Sequence, residues 1–284
     1  MSTQPQQLIG CDFSSAPTRR KPIVLARGEC AGQGVRLLAI ERFESLDAFA
    51  EWLAQAQHWV GGFDLPFGLP RELVEHLLWP TQWDKCMAHY ASLSRLQIRD
   101  FFAAFCAARP VGRKFAHRAT DGPAGSSPSM KWVNPPVAFM MHAGVPLLRQ
   151  AGVHLPGLEE GDRSRVALEA YPGWLARQLI ARASYKSDDK AKQTPERAAA
   201  RKQLVSLIEQ PLAMLDGLHV LLSESQRQLL ETDASGDSVD AVLCMLAAAW
   251  AHRQHLARHV NHGLPAQMDS LEGWIVGVPF SRDE

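Results

Sequence analysis

The sequence predicts an α/β protein, a mixed sheet with helices packed against it. Three observations point there. Three β-rich segments close on an acid, at Asp12, Asp64 and Glu169, and each runs into a turn that contains proline. A glycine-punctuated hairpin pattern lies between the first and the second. Much later, Val239, Val242, Leu243, Leu246 and Trp250 recur at helical spacing in a segment that opens with Asp237 and Asp240.

Taken in order, Met1–Gln6 reads as a loose tail. Leu8-Ile9-Gly10-Cys11-Asp12-Phe13 is a short buried strand, and Ser14-Ser15-Ala16-Pro17 turns the chain. Ile23 to Arg27 and Val35 to Phe43 form the hairpin, separated by Gly28, Gly32 and Gly34. Ser45 caps a helix whose apolar positions are Leu46, Phe49, Leu53 and Ala56. Trp59 to Asp64 repeats the strand-and-acid pattern, and Pro66 ends it because proline cannot continue a ladder. Arg165 to Pro172 is the third copy.

Residues 71–163 form an insertion between the second and third copies, helical at first, with Leu73, Leu77, Leu78, Leu96, Phe101, Phe102 and Phe105 as core candidates. Its middle is rich in Gly, Pro and Ser and carries Arg109, Arg113, Lys114, Arg118 and Lys131. That stretch is either a solvated loop or a lid whose cations contact phosphates. Trp132 and Asn134 lie inside it and, on the lid reading, would be the side chains to contact a base. Helical material follows over Trp174 to Arg182, Leu204 to Leu222 and Gln226 to Leu230. The mixed-charge stretch from Tyr185 to Lys202 reads as a solvated loop and helix face. Glu272 to Pro279 reads as a last short β segment.

The helix after Gly236 is the most informative stretch. Its second face, Ala241, Cys244, Ala247, Ala248 and Ala251, is small and apolar, so the helix packs on both sides. Two carboxylates in its first turn then need partners, because an unpaired buried charge is costly. Either Asp237 is the N-cap with Asp240 three residues on, favoured by the helix dipole, or the two hold a shared cation. His252, His255, His259 and His262 follow on a polar helix end, which suits cations near a helix C-terminus better than a metal site.

The length of 284 residues allows one large domain, here 1–284, with the insertion inside it. Formal net charge is zero, so any basic surface is local. The five cysteines are scattered without a CxxC pair, which predicts reduced thiols, a cytoplasmic setting and no disulfide-linked partner. No apolar run is long enough to cross a membrane and no secretory leader opens the chain, so no membrane partner is expected. Walker, GxGxxG and GxSxG patterns are absent. Asp12-Phe13-Ser14-Ser15 also lacks the glycines of a phosphate-cradling turn, which weighs against a kinase.

The order strand–acid, hairpin, helix, strand–acid, strand–acid, then a helix opening Asp-x-x-Asp resembles the RuvC-like branch of the RNase H-like fold. More closely, Gly10-Cys11-Asp12-Phe13-Ser14, Phe63-Asp64-Leu65-Pro66-Phe67-Gly68-Leu69-Pro70, Glu169-Ala170-Tyr171-Pro172 and Glu272-Gly273-Trp274-Ile275 are similar to domain-of-unknown-function family 429, regarded as predicted RNase H-like nucleases. The resemblance implies an RNase H-like mixed five-stranded sheet flanked by helices, with the largely helical insertion between the fourth and fifth strands. It also implies two Mg²⁺ or Mn²⁺ ions. Asp12 would bridge them, Asp64 would complete one shell, and Asp240 with Asp237 the other; Glu169 would be a second-tier ligand or orient water. Asp64 stands where the RuvC branch usually has glutamate, so its reach is one methylene shorter.

The expected chemistry is two-metal hydrolysis of nucleic-acid phosphodiesters, DNA or RNA, with the ions about 3.5–4 Å apart. Hard oxygen ligands favour Mg²⁺ over zinc, and Arg113, Lys114, Arg118 and Lys131 would contact the substrate. Two rivals remain: an actin-like-fold phosphotransferase or ATPase acting on a small molecule, and a non-catalytic binding protein on the same fold.

Overall fold

The computed structural model describes residues 7–55 and 57–280. The expected tail at Met1–Gln6 and the apolar position Ala56 lie outside the described residues.

Seven strands are described: β1 (Gln7–Asp12), β2 (Ile23–Ala31), β3 (Gly34–Phe43), β4 (Trp59–Asp64), β5 (Val153–His154), β6 (Asp162–Glu169) and β7 (His219–Leu221). They form one sheet in the order β5-β6-β4-β1-β2-β3-β7. β1, β2 and β3 pair antiparallel, whereas β4 is parallel to β1 and β6 is parallel to β4. The sheet therefore has seven strands and not five. The additions are two edge pieces, β5 beside β6 and β7 beside β3, of two and three residues. β7 comes out of the stretch read as helix from Leu204 to Leu222. There the helix α8 (Pro195–Ile208) stops, and a turn leads into the strand. The β segment expected at Glu272 to Pro279 is a run of turns, because Gly273 and Gly277 take positive φ (70° and 83°) and break any extended run.

Alternate residues of the central strands enter two different cores, as a doubly covered sheet requires. Leu8, Val24, Val60 and Leu168 face one core; Ile9, Leu25, Phe63 and Ala167 face the other. The second core is built with α1 (Leu46–Leu53), α2 (Arg71–His76), α3 (Trp83–Ser92), α4 (Arg95–Ala107) and α6 (Val137–Gln150). α1 starts as expected, with Ser45 Oγ accepting from the Ala48 N–H at 3.1 Å. Between β4 and β5 the chain forms α2, α3, α4, a single turn α5 (Asp121–Ala124) and α6. Trp83 Nε1 donates to the Phe67 carbonyl at 2.7 Å, and Tyr90 OH to the Ala138 carbonyl at 2.9 Å. The first bond anchors the helical layer to the loop that follows β4, and the second ties α3 to α6.

The first core is built with α7 (Pro172–Ile180), α8, α9 (Glu224–Thr232) and α10 (Asp237–Leu256). α10 is buried on both sides from Asp237 to Ala249, as its two apolar faces predict. Its small-residue face lies against β1 and β4 so closely that only glycine fits beneath it. A Cβ on Gly10 would stand 2.0 Å from the Ala241 carbonyl oxygen, and one on Gly62 2.4 Å from that of Cys244. Gly10 and Gly62 are register partners, so they form one trough across adjacent strands. That trough fixes where the first turn of α10 meets the strand ends.

Candidate functional site

Asp12 is the last residue of β1, Asp64 the last of β4 and Glu169 the last of β6. In an open α/β sheet, such carboxyl ends are where ligands bind. Asp12 and Asp64 are register partners on neighbouring parallel strands. Both line a cavity of about 550 Å³, together with Ser14, Lys21, Tyr171 and Lys186. A second cavity of about 560 Å³ shares Asp64, Tyr171 and Lys186 as wall residues and continues towards Arg177 and Arg182.

Glu169 has a different fate from the other two strand acids. Arg118 grips it with two parallel bonds of 2.7 Å, and the Phe67 N–H donates to Glu169 Oε2 at 2.9 Å. Arg118 also bonds Asp121, and all three charged groups are fully buried. Such a fork is the strongest carboxylate pairing a side chain offers, so Glu169 acts as a strut at the cavity wall.

Asp237 and Asp240 are each met by a lysine. Lys21 Nζ donates to Asp237 Oδ1 at 3.1 Å while also holding the exposed Asp188. Lys186 Nζ donates to Asp240 Oδ2, and Tyr185 OH donates to Asp240 Oδ1 at 2.6 Å. The cap expected at Asp237 lies elsewhere. Gly236, at φ 79°, is the N-cap, and Asp233 Oδ2 accepts from the Ser238 N–H at 2.9 Å. Asp233 thus takes the capping part, leaving Asp237 and Asp240 inside the first turn.

Asp12 is nine-tenths buried, and neither its carboxylate nor that of Asp64 has a hydrogen-bonding or ion-pair partner among the described residues. Burial, then the charge of Asp240, pushes the Asp12 carboxyl well above its ordinary range, against the pull of Lys186. Burial raises Asp64 to about 7, with Lys186 opposing and Asp240 and Glu169 reinforcing. Burial works against the Lys186 ammonium, but Asp240, Tyr185 and Asp12 outweigh it and hold it charged. Asp12 and Asp64 end neighbouring strands against which α10, the carrier of Asp240, is packed.

Of the four residues assigned to substrate contact, Arg118 lines the cavity, although as the buried partner of Glu169. Arg113 and Lys114 are exposed and Lys131 half-buried, away from that wall. Trp132 packs on Phe115 at 5.7 Å, and Asn134 is exposed. The His255 and His262 rings stack at 4.3 Å near the end of α10. Among the described residues, no three His, Cys, Asp or Glu side chains are arranged around one point to hold a metal ion. All five cysteines are free thiols, and no helix among the described residues is long and apolar enough to cross a membrane.

Lys21, Tyr185 and Lys186 are the site residues that sequence reasoning missed. Tyr185 and Lys186 fall in the stretch read as a solvated loop, and the structure brings them onto the buried acid of α10. The signal was indirect: buried carboxylates demand counter-cations, but nothing local says which lysine supplies one.

The model of the protein family of unknown function DUF429 matches residues 10–263. The chain belongs to that family. No curated protein and no solved structure matches the chain. The match takes in Asp12, Asp64, Glu169, Asp237 and Asp240.

Proposed function

We propose that this DUF429 protein is a divalent-metal-dependent hydrolase of nucleic-acid phosphodiesters, built on an RNase H-like core. Two features support the fold reading. The inner strand order β3-β2-β1-β4-β6 joins an antiparallel hairpin unit to two parallel strands, and a closing helix brings its acidic first turn to the ends of β1 and β4. One observation carries the functional reading: Asp12, buried, and Asp64, half-buried, are adjacent carboxylates without a side-chain partner among the described residues, and both face an open cavity.

The donor chemistry and the surplus charge fit a hard dication. Mg²⁺ commonly binds through one or two carboxylates and keeps several waters, so Asp12 and Asp64 would hold it. The ion, once bound, supplies Lewis acidity and lowers the pKa of an attacking water. The protein does the rest. Lys186, held on Asp240, keeps a positive charge at the cavity wall beside the two free acids. Preorganised charge of that kind favours a phosphate as negative charge builds on its oxygens. Arg118 locks Glu169 and the Phe67 backbone, which keeps the loop after β4 in place. Ser14, Ser15 and Ser127 line the same cavity, and their hydroxyls are donors for phosphate oxygens.

The test is cleavage of single-stranded, duplex and branched DNA and RNA with Mg²⁺ or Mn²⁺. Wild-type protein should cleave at least one of them, and Asp12→Asn should lose the activity by 10³-fold or more, about 4 kcal/mol at 1.36 kcal/mol per tenfold. Equal inactivity of both proteins on every substrate would end the nuclease reading. Nucleotide-dependent stabilisation without nucleic-acid binding would favour a phosphotransferase in its place.

A further inference from the structure

We propose that Lys186 is a built-in cation that limits this site to one divalent ion, held by Asp12 and Asp64, in place of the two implied by the family resemblance. The inference rests on reading the site as a metal-dependent phosphodiesterase.

The charge count comes first. Two carboxylates end β1 and β4 and two more stand in the first turn of α10, and two lysines, Lys21 on Asp237 and Lys186 on Asp240, answer the pair on α10. Asp12 and Asp64 remain, two carboxyls without a side-chain partner among the described residues, which carry two negative charges once a bound cation displaces their protons. One dication neutralises that remainder, whereas a second would have to displace a lysine.

Displacing Lys186 is the harder course. Both oxygens of the fully buried Asp240 are engaged, one by Tyr185 OH at 2.6 Å and the other by Lys186 Nζ. The backbone that carries the pair is pinned to α8, with Arg201 Nη1 donating to the Tyr185 carbonyl at 2.8 Å and Arg197 Nη1 to the Lys186 carbonyl at 3.1 Å. The next residue is pinned as well, since the Ser187 N–H donates to the Ala234 carbonyl at 3.0 Å. Gly236 clears the path for the lysine stem, because a Cβ there would stand 2.6 Å from Lys186 Cβ. The same glycine needs its positive φ to open α10, so one residue serves both the helix start and the lysine. An ammonium so held offers a compact positive charge and up to three donors. It therefore takes the place of a second cation on Asp240.

The experiment counts Mn²⁺ ions on the full chain by calorimetry and by electron paramagnetic resonance, without substrate. Wild type should bind one Mn²⁺ per chain, and Asp12→Asn should weaken it by at least tenfold. Lys186→Met, which keeps the stem and removes the charge, should bind two and gain more thermal stability from Mn²⁺ than wild type does. Lys186→Arg should still bind one. If Lys186→Met does not fold, the wild-type and Lys186→Arg stoichiometries still decide. Two ions on wild type, none on wild type, or an unchanged count in a folded Lys186→Met protein would each overturn the proposal. Failure of the nuclease reading would look different: one Mn²⁺ bound, sensitive to Asp12→Asn, on a protein that cleaves no nucleic acid.

Discussion

Asp64→Asn should stabilise the metal-free protein. The carboxyl rises from an ordinary 3.8 to about 7 because burial and the neighbouring acids penalise its ionised form. At 1.36 kcal/mol per tenfold in proton affinity, ionising it at pH 8 costs the folded state at most about 4 kcal/mol. Solvent at this half-buried side chain screens the charge and brings the figure to roughly 2 kcal/mol. The sign follows from linkage. A folded pKa above the unfolded one means the folded chain binds the proton more tightly, so this stability is complete below about pH 4 and is lost as pH rises towards 7. Urea denaturation in EDTA is the assay. At pH 8 Asp64→Asn should exceed wild type by roughly 2 kcal/mol, and at pH 5 the gap should shrink to a fraction of that. Saturating Mn²⁺ should reverse the order, since an ion at a hundred times its Kd adds about 2.7 kcal/mol to wild type alone. Equal stability of the two proteins at pH 8, or the same gap at both pH values, would refute the claim that Asp64 is an unrelieved buried acid.

Three further outcomes follow from the structure. Arg118→Ala strands the buried carboxylates of Glu169 and Asp121 and should cost about 3–5 kcal/mol in urea denaturation; Arg118→Lys should recover little, because an ammonium cannot make the two-bond fork. Gly10→Ala drives a Cβ into the backbone of α10 at Ala241 and should destabilise by about 3 kcal/mol or more, at or above the upper end of overpacking costs, with a matching loss of Mn²⁺ affinity if α10 shifts. His262 is held near 4 by burial and by His255, His154, His252 and Arg163. Its proton binds more tightly to the unfolded chain, so at most about 3 kcal/mol of stability should disappear as pH falls from about 6.5 to 4, and the slope should flatten in His262→Asn.

Much of the frame was legible because its signals are local. Strands ending at Asp12, Asp64 and Glu169 announced themselves as apolar runs cut off by proline turns, and the residues of α10 carried two apolar faces that a doubly packed helix needs. β5 and β7 were not legible, since two or three residues show no periodicity and become strands only by meeting an existing edge. The segment after Glu272 misled for a related reason: Trp274, Ile275, Val276 and Val278 have β-forming side chains, but Gly273 and Gly277 bend the backbone between them. The site divides in the same way. Its acids stood at places the sequence marks, whereas the cations that answer them come from remote loops, Lys21 after β1 and Lys186 after α7. A lysine looks the same in a solvated loop and over a buried carboxylate, so only tertiary structure separates the two.

The contrast between Glu169 and Asp64 says what distinguishes a structural acid from a functional one here. Both end parallel strands of the same sheet, both line the same cavity, and both precede a turn with proline. Glu169 found an arginine inside the protein, and every charge in that trio is matched by fixed donors. Asp64 and Asp12 found none, although Lys186 lies close enough to oppose the rise in their pKa values. A chain selected only for stability would replace such acids, because an asparagine of the same shape removes the repulsion at no loss of packing. Their presence as ionisable groups is intelligible if something from outside completes them. A positive partner that arrives with solvent or substrate fits the geometry, the residual charge and the open cavity together.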